Sequence, residues 1–137
     1  MLTWGFDPSD LDSHVYGTLS NGEEFHVYYN QQSQYDGDTE ICNLDVDDTT
    51  SFGPETIALT PNTAEPYYYY VYHYAGYGSI ASSGAQVKLY CGDTLLATYH
   101  APTDQGIGDY RNVFAVVDGR IVVSNTITSY ENLTYAN

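Results

Sequence analysis

Two stretches of the chain, Asp10-Leu11-Asp12-Ser13-His14-Val15 and Asp45-Val46-Asp47-Asp48, alternate acidic and apolar residues. In an extended strand, side chains two positions apart share a face. The acidic residues of each stretch are therefore expected on one face of a strand, and the apolar residues on the opposite face. His14 falls on the acidic side of the first stretch. The pattern predicts strands that bury one face in the core and gather carboxylates on the other.

Protein cations that could balance these carboxylates are scarce, because the 137-residue chain has 3 Lys and Arg against 18 Asp and Glu, a formal net charge of -15. Carboxylates that folding brings together raise one another's pKa and destabilise the fold unless a cation neutralises them. We therefore predict a divalent cation, and favour Ca²⁺ because it binds carboxylate and carbonyl oxygens. The predicted ligands are Asp10, Asp12, Asp45, Asp47, Asp48 and Glu55. The alternative is that these are solvated carboxylates, with Asp48 capping a turn.

Three histidines give a second set of candidate ligands. His14 accompanies the first acidic stretch, His26 falls on the partner strand of the same predicted hairpin, and His73 lies near the end of a tyrosine run. Histidines with an aspartate suit Zn²⁺, and a zinc site with an open position could hydrolyse a substrate. No general base is evident, however. The histidines could instead orient a carboxylate that binds the metal.

The run Tyr67-Tyr-Tyr-Tyr-Val-Tyr-His-Tyr74 is the strongest strand pattern in a chain with 16 tyrosines. Aromatic residues favour strands, and here they fall on both faces, of which one must be core. The other face would carry a strip that could stack on sugars or anchor a protein partner. The strip would be Tyr68, Tyr70, Tyr72 and Tyr74. The alternative is that these rings only cover the sheet.

Turn signals divide the rest of the chain into nine or ten short strands. Asn21-Gly22, Gly92-Asp93 and Asp118-Gly119 each join two strand-like segments, and Asp118-Gly119 is the best type I′ signal. Residues 31–40 are polar and are expected to form a loop, whereas residues 41–47 are expected to form a strand. No segment of useful length has helical periodicity. We predict one domain over residues 1–137, an antiparallel β-sandwich of the jelly-roll or Ig-like kind.

The predicted core takes one or two apolar residues from most of these strands. It consists of Trp4, Leu11, Val15, Leu44, Val46, Val71, Val87, Leu89, Val113 and Val122.

The acidic composition also limits the partners of the chain. A net charge of -15 argues against binding nucleic acid or anionic membrane surfaces. No apolar run is long enough for membrane insertion. Met1 is followed directly by a strand-like segment, which is expected of a module taken from a larger surface protein. The composition indicates an extracellular or cell-surface location.

Several motifs resemble one bacterial family. They are Trp4, Asp10 to Val15, Phe25 to Tyr29, Leu44 to Thr50, Gly53 to Thr56, Tyr67 to Gly76, and the closing Val113-Phe114, Gly119 and Asn125-Thr126-Ile127. Together they are similar to the YfaP-like domain of unknown function, found in secreted and cell-surface proteins. The resemblance implies a β-sandwich module, usually one of several in a large surface protein. It implies no established activity.

From these patterns we expect a non-catalytic, extracellular, calcium-binding β-sandwich module of a bacterial surface or secreted protein, acting in adhesion or as a rigid spacer. Its expected partners are neighbouring domains of the parent chain, and possible further partners are glycans or a surface protein. The first alternative is a carbohydrate-binding module that uses the tyrosine strip. The second, weaker alternative is a metal-dependent hydrolase.

Overall fold

A computed structural model describes residues 1–60, 66–103 and 108–136. These residues form eleven strands and no helix, so none of them belongs to a helix that could cross a membrane. The strands are β1 (Leu2–Thr3), β2 (Asp10–Thr18), β3 (Glu24–Val27), β4 (Ser33–Asp36), β5 (Thr39–Leu44), β6 (Ile57–Leu59), β7 (Tyr67–Ala75), β8 (Gln86–Cys91), β9 (Thr94–His100), β10 (Tyr110–Val117) and β11 (Arg120–Thr128). The prediction of an all-β fold is confirmed.

The strands form one large and two small antiparallel sheets. The large sheet has the order β11-β10-β7-β2-β3, and the small sheets have the orders β1-β8-β9 and β4-β5-β6. Main-chain hydrogen bonds join the small sheets, since Leu2 N donates to Glu55 O at 2.8 Å and Glu55 N donates to Leu2 O at 3.0 Å. All three sheets contribute side chains to one apolar core. The arrangement is that of a sandwich.

Most residues of the predicted core are buried, but the prediction that Val46 belongs to the core is wrong, because 54% of its surface is exposed. The predicted strand over residues 41–47 ends at Leu44, so the alternation of faces does not extend to the residues that follow. Val122 and Leu89 are only partly buried, and Leu89 packs against the core.

Local turn chemistry explains both a confirmed and a wrong prediction. Asp118 and Gly119 have φ angles of 51° and 71°, as a type I′ turn requires, and they join β10 to β11. The predicted loop over residues 31–40 instead contains β4 and the start of β5, which pair on either side of Gly37 and Asp38. β4 and the first two residues of β5 are mostly polar and solvent-accessible, so residues 31–40 lack the apolar alternation that marks a half-buried strand.

The two cysteines lie on different strands and form no disulfide. Cys42 is buried on β5, whereas Cys91 is exposed on β8. Burial raises the pKa of the Cys42 thiol to about 12, so this side chain behaves as a small apolar residue.

Both faces of the tyrosine strand β7 are covered along its first half. Tyr67, Tyr69 and Val71 face the core. On the opposite face, Tyr68 lies under the ring of Tyr135 at a centroid distance of 5.3 Å. The C-terminal residues therefore cross the outer face of the large sheet and cover this part of it.

Candidate metal centre

The candidate site begins at an edge of β2 that has no strand beside it. β3 pairs with β2 only from Val15 to Thr18, so the preceding half of β2 extends beyond the end of β3. Glu55 occupies this edge, where its Oε1 accepts a hydrogen bond from Ser13 N at 2.8 Å. Its Oε2 accepts one from Asp48 N at 3.1 Å. A fully buried glutamate thus closes the sheet edge in place of a strand.

The loop that carries Glu55 is held in place by main-chain contacts with the segment before β2. Ser51 N donates to Ser9 O at 2.8 Å, and Phe52 N donates to Gly5 O at 3.2 Å. The hydroxyl of Ser51 donates to Phe6 O at 2.6 Å. These contacts bring the second acidic stretch of the sequence against the first.

Four carboxylates meet at this point. Asp10, Asp12, Asp47 and Glu55 each offer one oxygen, and these four oxygens all lie within 4.8 Å of one another. Asp12 is only 2% exposed, and neither of its carboxylate oxygens has a hydrogen-bond partner. One oxygen each of Asp10 and Asp47 is likewise buried without a partner. Buried polar groups are normally paired, so these four unpaired oxygens make the group a candidate site for a cation.

The electrostatics of the group give the same indication. Burial, a hydrogen bond that protonated Asp12 donates to Asp10 and the charges of the neighbouring carboxylates raise the pKa of Asp12 to about 9. The oxygens of Asp12 are therefore unpaired when both aspartates are ionised, which is the state that a cation would bind. Burial likewise raises the pKa of Glu55 to about 8, against the opposing effect of its two backbone hydrogen bonds. The pKa of Asp10 is also raised, again mainly by burial. No Lys or Arg in the described part of the chain forms an ion pair with any of the four. Without a bound cation, either some of these carboxyl groups stay protonated or their mutual repulsion destabilises the fold.

The chemistry of the four donor groups indicates which class of cation they would bind. All four groups are carboxylates, which suit hard cations such as Ca²⁺, Mg²⁺ and Mn²⁺ better than softer ions. Calcium binds oxygens at about 2.3–2.6 Å and so can lie between oxygens up to about 5 Å apart, whereas magnesium, at about 2.0–2.1 Å, reaches only about 4 Å. The four oxygens all lie within 4.8 Å of one another, a separation compatible with the longer bonds of calcium.

The other two predicted carboxylate ligands lie outside this group and accept main-chain hydrogen bonds instead. Asp45 Oδ1 accepts hydrogen bonds from Val46 N at 2.7 Å and Thr56 N at 3.0 Å. Asp48 Oδ1 accepts from both the backbone N and the hydroxyl of Thr50, at 2.8 and 3.0 Å. The contribution of Asp48 to the site is its main-chain N–H, which holds Glu55. The sequence pattern did not indicate this role or that of Ser13, because any residue except proline supplies a main-chain N–H.

None of the three histidines belongs to the carboxylate group. His14 Nδ1 lies 2.7 Å from His26 Nε2, and their rings stack at a centroid distance of 4.9 Å. His73 pairs with Leu11 and is near enough to Asp10 to oppose the rise in the pKa of Asp10. Its ring nitrogens nevertheless contact other groups, with Nδ1 3.7 Å from Asp109 Oδ1 and Nε2 3.0 Å from Gly76 O. The structure therefore does not bring the histidines and carboxylates together around one ion.

The tyrosines of the predicted strip differ in exposure. Tyr68 and Tyr70 are buried, Tyr72 is half-buried, and Tyr74 is 52% exposed. The rings of Tyr72 and Tyr74 meet edge to face, at an interplanar angle of 79°. They do not form a continuous flat surface.

Comparison with known proteins adds nothing to this geometry. No known family model matches the chain, and no solved structure matches it significantly. The resemblance to the YfaP-like domain therefore stays a prediction, and the function has to be argued from the site.

Proposed function

We propose that the chain is a non-catalytic, calcium-binding β-sandwich module. The observation that carries this proposal is the carboxylate of Asp12, which is buried with neither oxygen paired among three further carboxylates. An uncompensated buried charge costs several kcal/mol or more, and a divalent cation at this point would offset that cost for all four groups together. The second acidic stretch would then supply Asp47 and Glu55 as ligands, beside Asp10 and Asp12 of the first.

The ion would act by making one end of the sandwich rigid. Asp10 and Asp12 belong to β2, whereas Asp47 and Glu55 belong to the loop between β5 and β6. An ion bound to all four would tie the unpaired edge of the large sheet to that loop. Without the ion, repulsion among the carboxylates would act on the same contacts, and this end of the domain would open first.

The wider setting forms part of the same proposal. We infer an extracellular module of a bacterial surface or secreted protein, which serves in adhesion or as a rigid spacer between neighbouring domains of the parent chain. This setting is supported by the net charge of -15, which suits a calcium-rich medium, and by the rigidity that a bound ion would give to one end of the module. Rigidity that depends on calcium is useful to a spacer, because it fixes the angle at which the next domain is held.

Neither alternative function is favoured by an observation at the site. A carbohydrate-binding strip would need exposed ring faces, yet Tyr68 and Tyr70 are buried. A hydrolase would need His14 and His26 or His73 on an ion with an open position, and the carboxylate group includes none of them.

The test is a thermal melt of the purified protein in chelator, followed by melts with added calcium, magnesium or zinc. A ligand at a hundredfold its dissociation constant stabilises the folded state by about 2.7 kcal/mol. For a domain of this size we expect the midpoint to rise by roughly 10 °C with calcium. Absence of a shift with calcium, in protein shown to be metal-free and folded, would overturn the proposal. A shift with zinc alone would favour the hydrolase.

A further inference from the structure

The candidate metal centre has a support on the core side of β2, opposite the face that carries Asp12. Ser13 connects the two sides. Its main-chain N donates a hydrogen bond to Glu55 Oε1 at 2.8 Å, and its hydroxyl forms a hydrogen bond of 2.7 Å with the hydroxyl of Tyr69. Ser13, Glu55 and Tyr69 are all buried. The carboxylate group is therefore linked through one residue to a tyrosine of the apolar core.

The main chain of β2 needs such a support at Ser13, because the sheet holds it on one side only. Ser13 pairs with β7, and no described strand lies on its other side. The pairing with β7 is itself interrupted nearby, by a register shift between Asp10 and Leu11. An irregularity of this kind locally disrupts the ladder of main-chain hydrogen bonds. The hydrogen bond from Tyr69 thus restrains β2 where its pairing is weakest.

The ring of Tyr69 is held in place by other rings of the core. It stacks on Phe114 of β10 at a centroid distance of 5.2 Å and an interplanar angle of 11°. Phe114 in turn stacks on Tyr99 of β9 at 5.8 Å. These three rings cross the core from the large sheet to a small one. A close-packed ring has little freedom to move, so the hydroxyl of Tyr69 stays directed at Ser13.

The electrostatics show that Tyr69 acts through its position. Burial raises the pKa of the Tyr69 hydroxyl, although the hydrogen bond with Ser13 lowers it. The negative charge of Glu55 adds to the rise, so the hydroxyl is near enough to Glu55 to sense its charge. Because the hydroxyl is neutral at pH 7, it can support the site only by holding Ser13 in place.

We propose that Tyr69 is a positioning residue of the metal centre, which orients Glu55 through Ser13. This inference rests on the proposed binding of calcium. With Ser13 held, its N–H fixes the carboxylate of Glu55 before the ion arrives, and each oxygen of Glu55 keeps a further lone pair for the ion. Without the hydroxyl of Tyr69, the ion itself has to order this edge of β2, which weakens its binding.

The first experiment compares the dissociation constant for calcium of the wild type, Tyr69→Phe and Tyr67→Phe by isothermal titration calorimetry. Tyr67 is the matched control, because it is a buried tyrosine of the same strand and its hydroxyl donates to Thr60 O at 2.8 Å. We expect the constant to rise about three- to tenfold in Tyr69→Phe and to stay unchanged in Tyr67→Phe. A purely structural role would lower the stability of both variants and leave both constants unchanged. An unchanged constant in Tyr69→Phe, or equal rises in both variants, would overturn the proposal.

The second experiment tests the route through Ser13 with a double-mutant cycle. Ser13→Ala removes the hydroxyl but keeps the main-chain N–H that holds Glu55. We expect Ser13→Ala to weaken calcium binding as much as Tyr69→Phe does, and the double variant to bind no more weakly than either. Additive effects would overturn the proposal, because Tyr69 would then act by another route. A wild type that binds no calcium would instead overturn the proposed function.

Discussion

The two halves of β2 treat buried polar groups in opposite ways. The histidine half consists of residues 14–18 of β2 together with His26 of β3, and the aspartate half consists of residues 10–13. In the histidine half, His26 stacks between Tyr16 and Tyr28, with ring centroids 4.2 and 4.0 Å away. His14 Nδ1 is hydrogen-bonded to His26 Nε2, and His14 Nε2 is left without a partner. In the aspartate half, Asp12 has no partner for either oxygen.

The two halves differ in how their buried imidazole and carboxyl groups become neutral. Burial lowers the pKa of His14 to about 3 and that of His26 to about 4, so both rings are neutral at pH 7 and tolerate the interior. Carboxylic acids are neutral at pH 7 only when burial raises their pKa far above its usual value, as it does for Asp12. The histidine half thus needs no opposite charge, although His14 Nε2 is unpaired, whereas the aspartate half requires either protons or a cation.

The largest expected effect tests the aspartate half directly. Asp12→Asn removes one charge without changing the shape of the side chain. We expect the variant to lose the calcium-induced rise of roughly 10 °C in the melting midpoint. In chelator it should melt above the wild type only above about pH 9, where Asp12 of the wild type is ionised and its repulsion is relieved by the change. Thermal melts in both conditions measure this. Asp38→Asn, at an exposed turn aspartate, is the control for the change in net charge and should keep the calcium effect.

Glu55→Gln is expected to behave differently, because Glu55 also closes the sheet edge. Its two oxygens accept hydrogen bonds from Ser13 N and Asp48 N, and a glutamine amide can accept only one of them. We expect this variant to be destabilised in chelator by about 1–3 kcal/mol, the cost of one unsatisfied buried group. Urea unfolding would measure it. A variant as stable as the wild type in chelator would show that Glu55 has no structural role apart from the ion.

The effect of calcium should also depend on pH. The pKa of Asp12 and Glu55 is raised in the folded protein to about 9 and about 8, whereas unfolded carboxyls titrate near pH 4. Their contribution to the stability of the metal-free protein is therefore fully present below about pH 4 and is lost as the pH rises through 8 and 9. Calcium binds the deprotonated groups, so its affinity rises over the same range. The difference in melting midpoint between calcium and chelator should be larger at pH 8.5 than at pH 6, and a smaller difference would contradict the site.

The smallest expected effect concerns the histidine half. His26→Phe keeps a ring between Tyr16 and Tyr28 but removes the hydrogen bond to His14. We expect a loss of about 1 kcal/mol in unfolding free energy, equal in calcium and in chelator. If the variant instead lost a metal-induced shift, the histidines would bind the ion and the comparison between the halves would fail.

Local sequence patterns are enough to predict most of the strands and part of the site. The dipeptide Asp118-Gly119 is sufficient to specify its hairpin, because both residues adopt the positive φ angles that a type I′ turn needs. The alternation in β2 likewise sets Asp12 and His14 on one face, opposite Tyr72 and Tyr70 of β7. Both rules act over a few neighbouring residues.

Which carboxylates meet, and which face of β2 is open to solvent, depend on long-range packing. Asp45 and Asp47 follow the same sequence pattern, yet Asp45 accepts a hydrogen bond from Thr56 N whereas Asp47 joins the group, because β5 and its alternation of faces end at Leu44. The face expected to be exposed is covered, since a distant loop lies over the aspartate half of β2 and the C-terminal segment crosses the same sheet. Which side chains share one face of a strand is a local property. Burial depends on segments far away in sequence, and no local pattern specifies where those segments pack.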